Sequence, residues 1–405
     1  MDSIARSQKI GIYIGKGASY SWIWFVKTFD ALGFHNVYFI DENDVCEGVL
    51  RHFDCFILPG GDPFQVAEGL ETDGLAAIRR FVEEGGTYIG VCAGTYLSII
   101  FHDDPLPWLN FEKVPVNNFS LDPPEAIRMR YKYLVSYQDG YVYHPVRGPL
   151  RVTDGTTSFS APLYGGPPMI APREYIMLEY EGFEDKTLYL IEEDKAFETM
   201  VGYAAGIHIP VGAGQLYLFG PHCEHPQYPR ANNYLNDVLV RITPQAEGPG
   251  RTATDILRGE KKKRFLKSVK RELSSARIIA SGMTDLRWKI GEKIWEDEKI
   301  TYFLTETWKT IKQLQKHDCL PVEGPSTLIS MARRIHVLLS DIRTLSKEGR
   351  DTNTEAAELI DLTKLLSKGL FDCYFNYKRR SWMPDGKDCG RDYSGGKCLC
   401  MHTVR

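Results

Sequence analysis

The sequence predicts an α/β domain followed by an all-α bundle, and three observations carry that reading. Up to about residue 100, short β-branched and aromatic runs alternate with amphipathic stretches of helix length. Such alternation builds βαβ units, and hence a mostly parallel, flavodoxin-like or Rossmann-like sheet sandwiched by helices. From 265 to 377 apolar residues recur at helical spacing alone, as in a bundle. The two halves also carry opposite charge: residues 1–250 hold 18 Lys and Arg against 32 Asp and Glu, whereas 251–405 hold 31 against 21. At 405 residues the chain exceeds the roughly 250–300 that one core commonly fills. We therefore expect separate domains: 1–245 α/β, 246–264 a linker, 265–377 a helical bundle and 378–405 a Cys-rich flexible tail.

The elements follow in order. KIGIYI (9–14), NVYFI (36–40), CFILP (55–59) and TYIGV (87–91) read as strands. SYSWIWFVKTFDALGF (19–34) has helical spacing and stops at Gly33, and DGLAAIRRFVEEGG (73–86) is a helix closed by glycine. From about 105 to 215 Pro, Gly and Tyr dominate, with strands expected at 174–180, 187–191 and 215–220 as the rest of the sheet with β-rich insertions. Helices are expected at 265–281, 285–317, 326–347 and 354–377. In the second of these, Trp288, Ile294, Trp295, Phe303, Leu304, Trp308, Ile311 and Leu314 form one apolar stripe, which we read as bundle core.

Composition excludes several classes. No run of about 18 uncharged apolar residues is present, and the N-terminus lacks the order of a secretory signal. We expect a cytoplasmic protein with no membrane contact. Nine cysteines scattered over this length do not form a dense disulfide framework, so most should be free thiols.

One cysteine stands apart. In GGTYIGVCAGTYLSII (85–100), Cys92 falls where a strand becomes a helix. That turn projects the side chain beyond the sheet, the helix N-terminus favours thiolate, and the next backbone N–H points where an oxyanion would form. Gly90 and Gly94 allow the close approach, and Ala93 offers the N–H. A thiolate that cleaves an amide also needs a base. LYLFGPHCEHP places His222 just past another apolar strand, with Glu224 two residues on as an orienting acid. The arrangement works if the strands ending at Cys92 and Gly220 are neighbours. Otherwise His222 is an ordinary loop histidine.

Five motifs in order, GIYIGKGAS, PGG, GVCAGTY, YGGPP and GPHCEH, resemble the class I glutamine amidotransferase superfamily. Within it the likeness is to the stand-alone form of the domain at the N-terminus of some biotin-protein ligases, over about residues 8–243. The resemblance implies that Cys92 is the nucleophile, His222 the general base and acid, and Glu224 the orienter. Gly61 and Ala93 would supply the oxyanion-hole amides, and Gly60, Gly17, Ser19, Tyr96, Gly165 and Gly166 would border the substrate. Where that superfamily commonly has His-Pro-Glu, this chain has His222, Cys223 and Glu224. No Gly-Arg-Gly-rich adenylate motif follows, and GKGAS lacks the G-x-x-x-x-G-K-[ST] phosphate-binding arrangement. No cofactor is expected.

The basic half admits two readings: it docks on its own acidic neighbour, or it attracts an anionic partner. KRR (378–380) among Tyr374, Phe375, Tyr377 and Trp382 mixes cations with aromatics, yet nucleic acid is the minor expectation. Cys389, Cys398, Cys400 and His402 offer soft metal ligands at irregular spacing, and we expect no bound metal. Three functions remain: a cysteine-dependent amidase on a small amide or peptide-like substrate, a non-catalytic ligand sensor on the same fold, or an interaction protein using the basic helices. In the first, the helical half supplies a lid, a homodimer surface or a protein contact.

Overall fold

The computed structural model describes residues 6–100, 108–117, 134–137, 140–143, 145–244, 255–290 and 293–382. Its first four strands, β1 (Ile10–Tyr13), β2 (Val37–Ile40), β3 (Cys55–Leu58) and β4 (Thr87–Val91), are buried along their whole length. Burial on both faces explains why they read as continuous apolar runs. They pair in parallel in the order β2-β1-β3-β4. The connecting helices are α1 (Trp22–Leu32), α2 (Pro63–Glu83) and the short α3 (Ala93–Ser98). Asp62 caps α2 by accepting from the amides of Phe64 and Gln65, with Pro63 in the first turn.

The sheet continues through β5 (Val146–Thr153), β6 (Ser158–Leu163), β7 (Ile176–Phe183), β8 (Ala204–Val211) and β9 (Gly214–Phe219). Its order is β6-β5-β7-β8-β9-β4-β3-β1-β2. The pairing is parallel from β2 across to β9, and antiparallel among β5 to β9. The strand expected at 187–191 shortens to Leu188–Tyr189, an addition to β5. Helix α4 (Pro229–Leu239) follows β9.

The second half is helical, as expected. It contains α5 (Gly259–Ser281), α6 (Asp297–Leu314), α7 (Pro325–Lys347) and α8 (Asn353–Trp382). The single helix expected over 285–317 is corrected. Its first part is a hairpin of β11 (Arg287–Ile290) and β12 (Lys293–Glu296), preceded in the chain by β10 (Asp255–Arg258). Trp288 pairs across the hairpin with Trp295. Seven residues apart, those two tryptophans would also share a helix face, so periodicity could not separate the alternatives. The span expected as linker, 246–264, likewise holds β10 and the first residues of α5. There β10 pairs with β13 (Cys319–Val322).

Nor does the apolar core divide between the halves. One cluster runs from Ile10, Trp22 and Phe39 of the α/β half to Phe303, Phe371 and Phe375 of the helices. Helix α1 is apolar almost all round because it is enclosed by the sheet and the helical half together. The Trp22 ring lies 5.4 Å from Phe39, 5.9 Å from Phe303 and 5.5 Å from Phe371, centre to centre. A second cluster fills the opposite sheet face beneath α2. Among the described residues no helix is long and apolar enough to cross a membrane. Cys46, Cys55, Cys92, Cys223 and Cys373 are free, while Cys319 is disulfide-bonded.

A core shared in this way makes the halves unfold together. Phe371→Ala should cost about 3–5 kcal/mol and lower the urea midpoint of one transition seen alike by tryptophan fluorescence and circular dichroism. Two separated transitions in the wild-type chain would show independent cores instead.

Candidate active site

The sheet decides whether the thiol and the imidazole meet. β4 and β9 are parallel neighbours in register, Val91 beside Phe219, and the Cys92 amide donates to the Phe219 carbonyl at 2.9 Å. The residues after each strand therefore emerge together at the carboxyl edge. Cys92 itself has φ 53° and ψ −103°, a conformation that costs a non-glycine residue about 1–3 kcal/mol. Its surroundings hold it there. The Thr95 hydroxyl reaches the carbonyls of Gly90 (3.0 Å) and Phe219 (2.8 Å), and the Tyr88 hydroxyl donates to Gly94 at 2.8 Å. A Cβ on Gly94 would stand 2.2 Å from the Leu58 carbonyl oxygen, so α3 can start this close to β3 only without one.

His222 is almost wholly buried and Glu224 entirely so. The imidazole Nδ1 and the Glu224 carboxylate are 2.7 Å apart. The Glu224 backbone carbonyl accepts from the Thr28 hydroxyl at 2.7 Å, and the His222 amide donates to the Pro162 carbonyl at 2.8 Å. Burial alone would push the imidazole pKa down. The Glu224 charge and hydrogen bonding to Cys92 and Glu224 overcome it and raise the pKa to about 9. Cys92 is thus close enough to His222 to count among the groups that raise its pKa. Nearby, His225 is driven down to about 4 by burial and by the charge of His222.

Aromatic rings fix the imidazole plane. Trp24 meets His222 edge-on at 5.0 Å, and Tyr164 lies 5.6 Å away. On the opposite flank, a Cβ on Gly60 would fall 2.8 Å from His222 Cε1, so the PGG loop touches the ring. That loop is tied to GKGAS: the Ser19 amide donates to the Gly60 carbonyl at 3.0 Å and the Asp62 amide to the Gly17 carbonyl at 2.9 Å. The same stretch, continuing from Leu58, passes the start of α3. Among the described residues neither the Gly61 amide, ahead of α2, nor the Ala93 amide, at the start of α3, donates to a backbone carbonyl.

Residues 11–100 match the family model described as biotin-protein ligase, N terminal. The matched segment runs from β1 past α3 and so contains Cys92 and the PGG loop, while His222 and Glu224 lie beyond it. No curated protein matches the chain. Among solved structures, the chain is similar to a catalytic mutant of Gan42B, a GH42 β-galactosidase from G. stearothermophilus. Identity is 12%, the TM-score is 0.32, and the match covers 59% of this chain and 31% of that one. It is also similar to a cytoplasmic protein from Salmonella typhimurium LT2 (14% identity, TM-score 0.34, 58% of this chain and 99% of that one). The chain spans about a third of the galactosidases it matches, and likenesses at these TM-scores lend nothing to the chemistry.

The expected site residues do not all lie in one place. Cys92, His222, Glu224, Gly60 and Ser19 come together. Tyr96 is buried beneath the elbow, where its environment is set by burial and by Cys92. Gly165 is buried with φ 131°, and a Cβ on Gly166 would be 1.9 Å from the Gly220 carbonyl oxygen. Gly166 therefore packs against Gly220, two residues before His222. The candidate ligands Cys389, Cys398, Cys400 and His402 lie outside the described residues. Sequence reasoning missed Trp24 and Thr28. Their i, i+4 spacing on α1 was the available signal, since it places an aromatic and a hydroxyl on one helix face.

Two outcomes follow from this geometry. Because the folded imidazole pKa is raised, its contribution to stability is full below pH 6.5 and is lost as pH climbs through about 9. The melting temperature of the wild-type chain should fall more steeply over that window than that of Glu224→Gln; equal slopes would contradict the pairing. Gly60→Ala should displace the imidazole while leaving the far-UV spectrum native, and should slow alkylation of Cys92 at pH 6 several-fold. Unchanged alkylation would mean that the loop does not set the ring position.

Proposed function

We propose that the chain is a cysteine-nucleophile amidase of the class I glutamine amidotransferase type, acting in the cytoplasm on a small amide or peptide-like substrate. The observation that carries this reading is the convergence of Cys92 with the His222–Glu224 pair at the carboxyl ends of two adjacent parallel strands. The Cys92 sulfur attacks the amide carbonyl carbon, and the Gly61 and Ala93 amides receive the oxyanion. As the C–N bond breaks, the His222 imidazolium gives its proton to the departing amine, leaving a thioester on Cys92. Neutral His222 then takes a proton from water, whose oxygen attacks the thioester. Loss of the thiolate releases the acid and returns the site to its starting state. Glu224 keeps the Nδ1 proton in place, so that Nε2 does the transfer.

The protein carries its own control for the test. Cys46 is exposed and free, and its pKa is raised by burial and by surrounding acids. Native protein treated with iodoacetamide at pH 6 and mapped by peptide mass should label Cys92 at least about tenfold faster than Cys46, and His222→Ala should remove that preference. Equal labelling of the two thiols would remove the nucleophile and leave the site as a ligand sensor.

A further inference from the structure

A cleft of about 700 Å³ lies between α5 and the carboxyl end of α6, with Lys262, Lys267, Lys270, Arg271, Lys316 and His317 in its lining. Asp318 is the acidic residue of that lining. Three of the cations are committed locally. Lys262 donates to the Gln315 carbonyl at 3.3 Å and to that of His317, capping the negative end of α6, Lys263, also in the lining, pairs with Glu260 at 2.9 Å, and Arg271 is held by Glu272 at 2.7 Å. The other three are not. Lys270 reaches the Gln315 side-chain amide at 3.3 Å and Lys316 that of Gln313 at 3.1 Å. Among the described residues none of Lys267, Lys270 and Lys316 pairs with a carboxylate.

Two further features mark the place. His317 Nε2 is buried without a hydrogen-bond partner among the described residues, while its ring stacks on Tyr377 at 3.7 Å. Beside the cleft, Trp308 gathers Lys312 at 4.0 Å, Arg277 at 4.4 Å and Lys270 at 5.8 Å from its ring centre, and its indole N–H donates to Ser274, another lining residue. Amines that outnumber the acids around them repel one another, and an entering polyanion relieves that repulsion. A concave site of this volume suits a compact ligand. Flexible ammonium groups bind phosphate as point charges, without the planar fork that selects carboxylates.

We propose that this cleft binds a compact, multiply phosphorylated anion through Lys267, Lys270 and Lys316, with His317 as an added donor. The shared chemistry is a run of consecutive phosphates, supplied by inorganic tripolyphosphate or by a nucleoside triphosphate.

Calorimetric titration of the full chain with sodium tripolyphosphate should show one saturable site that weakens about tenfold or more between roughly 50 and 200 mM salt. Lys267→Gln combined with Lys316→Gln should weaken it by another order of magnitude without moving the melting temperature, since both side chains are exposed. ATP binding as tightly as tripolyphosphate supports the site with phosphates as the whole determinant; ATP binding tenfold tighter supports it with a nucleotide as occupant. No saturable heat with either compound overturns the proposal, as does binding unaffected by the double substitution. Tight, salt-sensitive binding of a 20-nucleotide RNA where tripolyphosphate fails would overturn it in favour of a nucleic-acid backbone. None of these readouts involves Cys92, so the site stands or falls separately from the amidase.

Discussion

The hydrogen bond from the Cys92 amide to the Phe219 carbonyl ends the parallel pairing of β4 with β9, and the candidate chemistry depends on that register. Because a strand advances about 3.3 Å per residue, a slip of one position would carry the sulfur out of reach of the imidazole and turn every strand side chain to the opposite face. Burial guards against such a slip, since both strands lie between apolar layers. The same pairing sustains the unfavourable backbone of Cys92, because the Thr95 hydroxyl bonds to carbonyls from both strands at once. Strain at the elbow is thus offset by the sheet that aims it.

Helix α1 joins this edge to the rest of the molecule. One of its faces sends Trp24 against His222 and Thr28 to the Glu224 carbonyl, while Trp22 meets Phe303 and Phe371 of the helical half. The helices therefore do not merely follow the α/β half in sequence; they complete the enclosure of the element that orients the imidazole. Tyr302 of α6 extends this contact, lying 5.4 Å from Tyr20 in the loop before α1.

The opposed charges of the halves are partly resolved by their contact. Lys378 pairs with Asp30 at 3.1 Å, and Lys368 lies 3.9 Å from both Asp41 and Asp44. Lys27 reverses the direction, reaching Glu306 at 2.8 Å. These pairs account for part of the basic surplus. The amines along α5 and at the end of α6 take no part in them, and there the positive charge stays concentrated.

The strands of the first hundred residues were legible because fully buried strands need unbroken apolar runs, and three of the four helices because an amphipathic helix must repeat near 3.6. The position of Cys92 was legible too, since the glycines around it serve no purpose except close approach. Local pattern failed at the Trp288–Trp295 hairpin, where one spacing satisfies two structures, and at the linker, where β10 is stabilised only by a strand some sixty residues away. The sequence by itself singled out Cys92, His222 and Glu224 as candidates and the turns on which they sit. Tertiary structure alone decided that Cys92 and His222 share an edge, that Trp24 and Gly60 grip the imidazole, and that both halves share one core. Those are contacts between segments far apart in the chain, and a local period carries no information about which distant strand or helix a surface will meet.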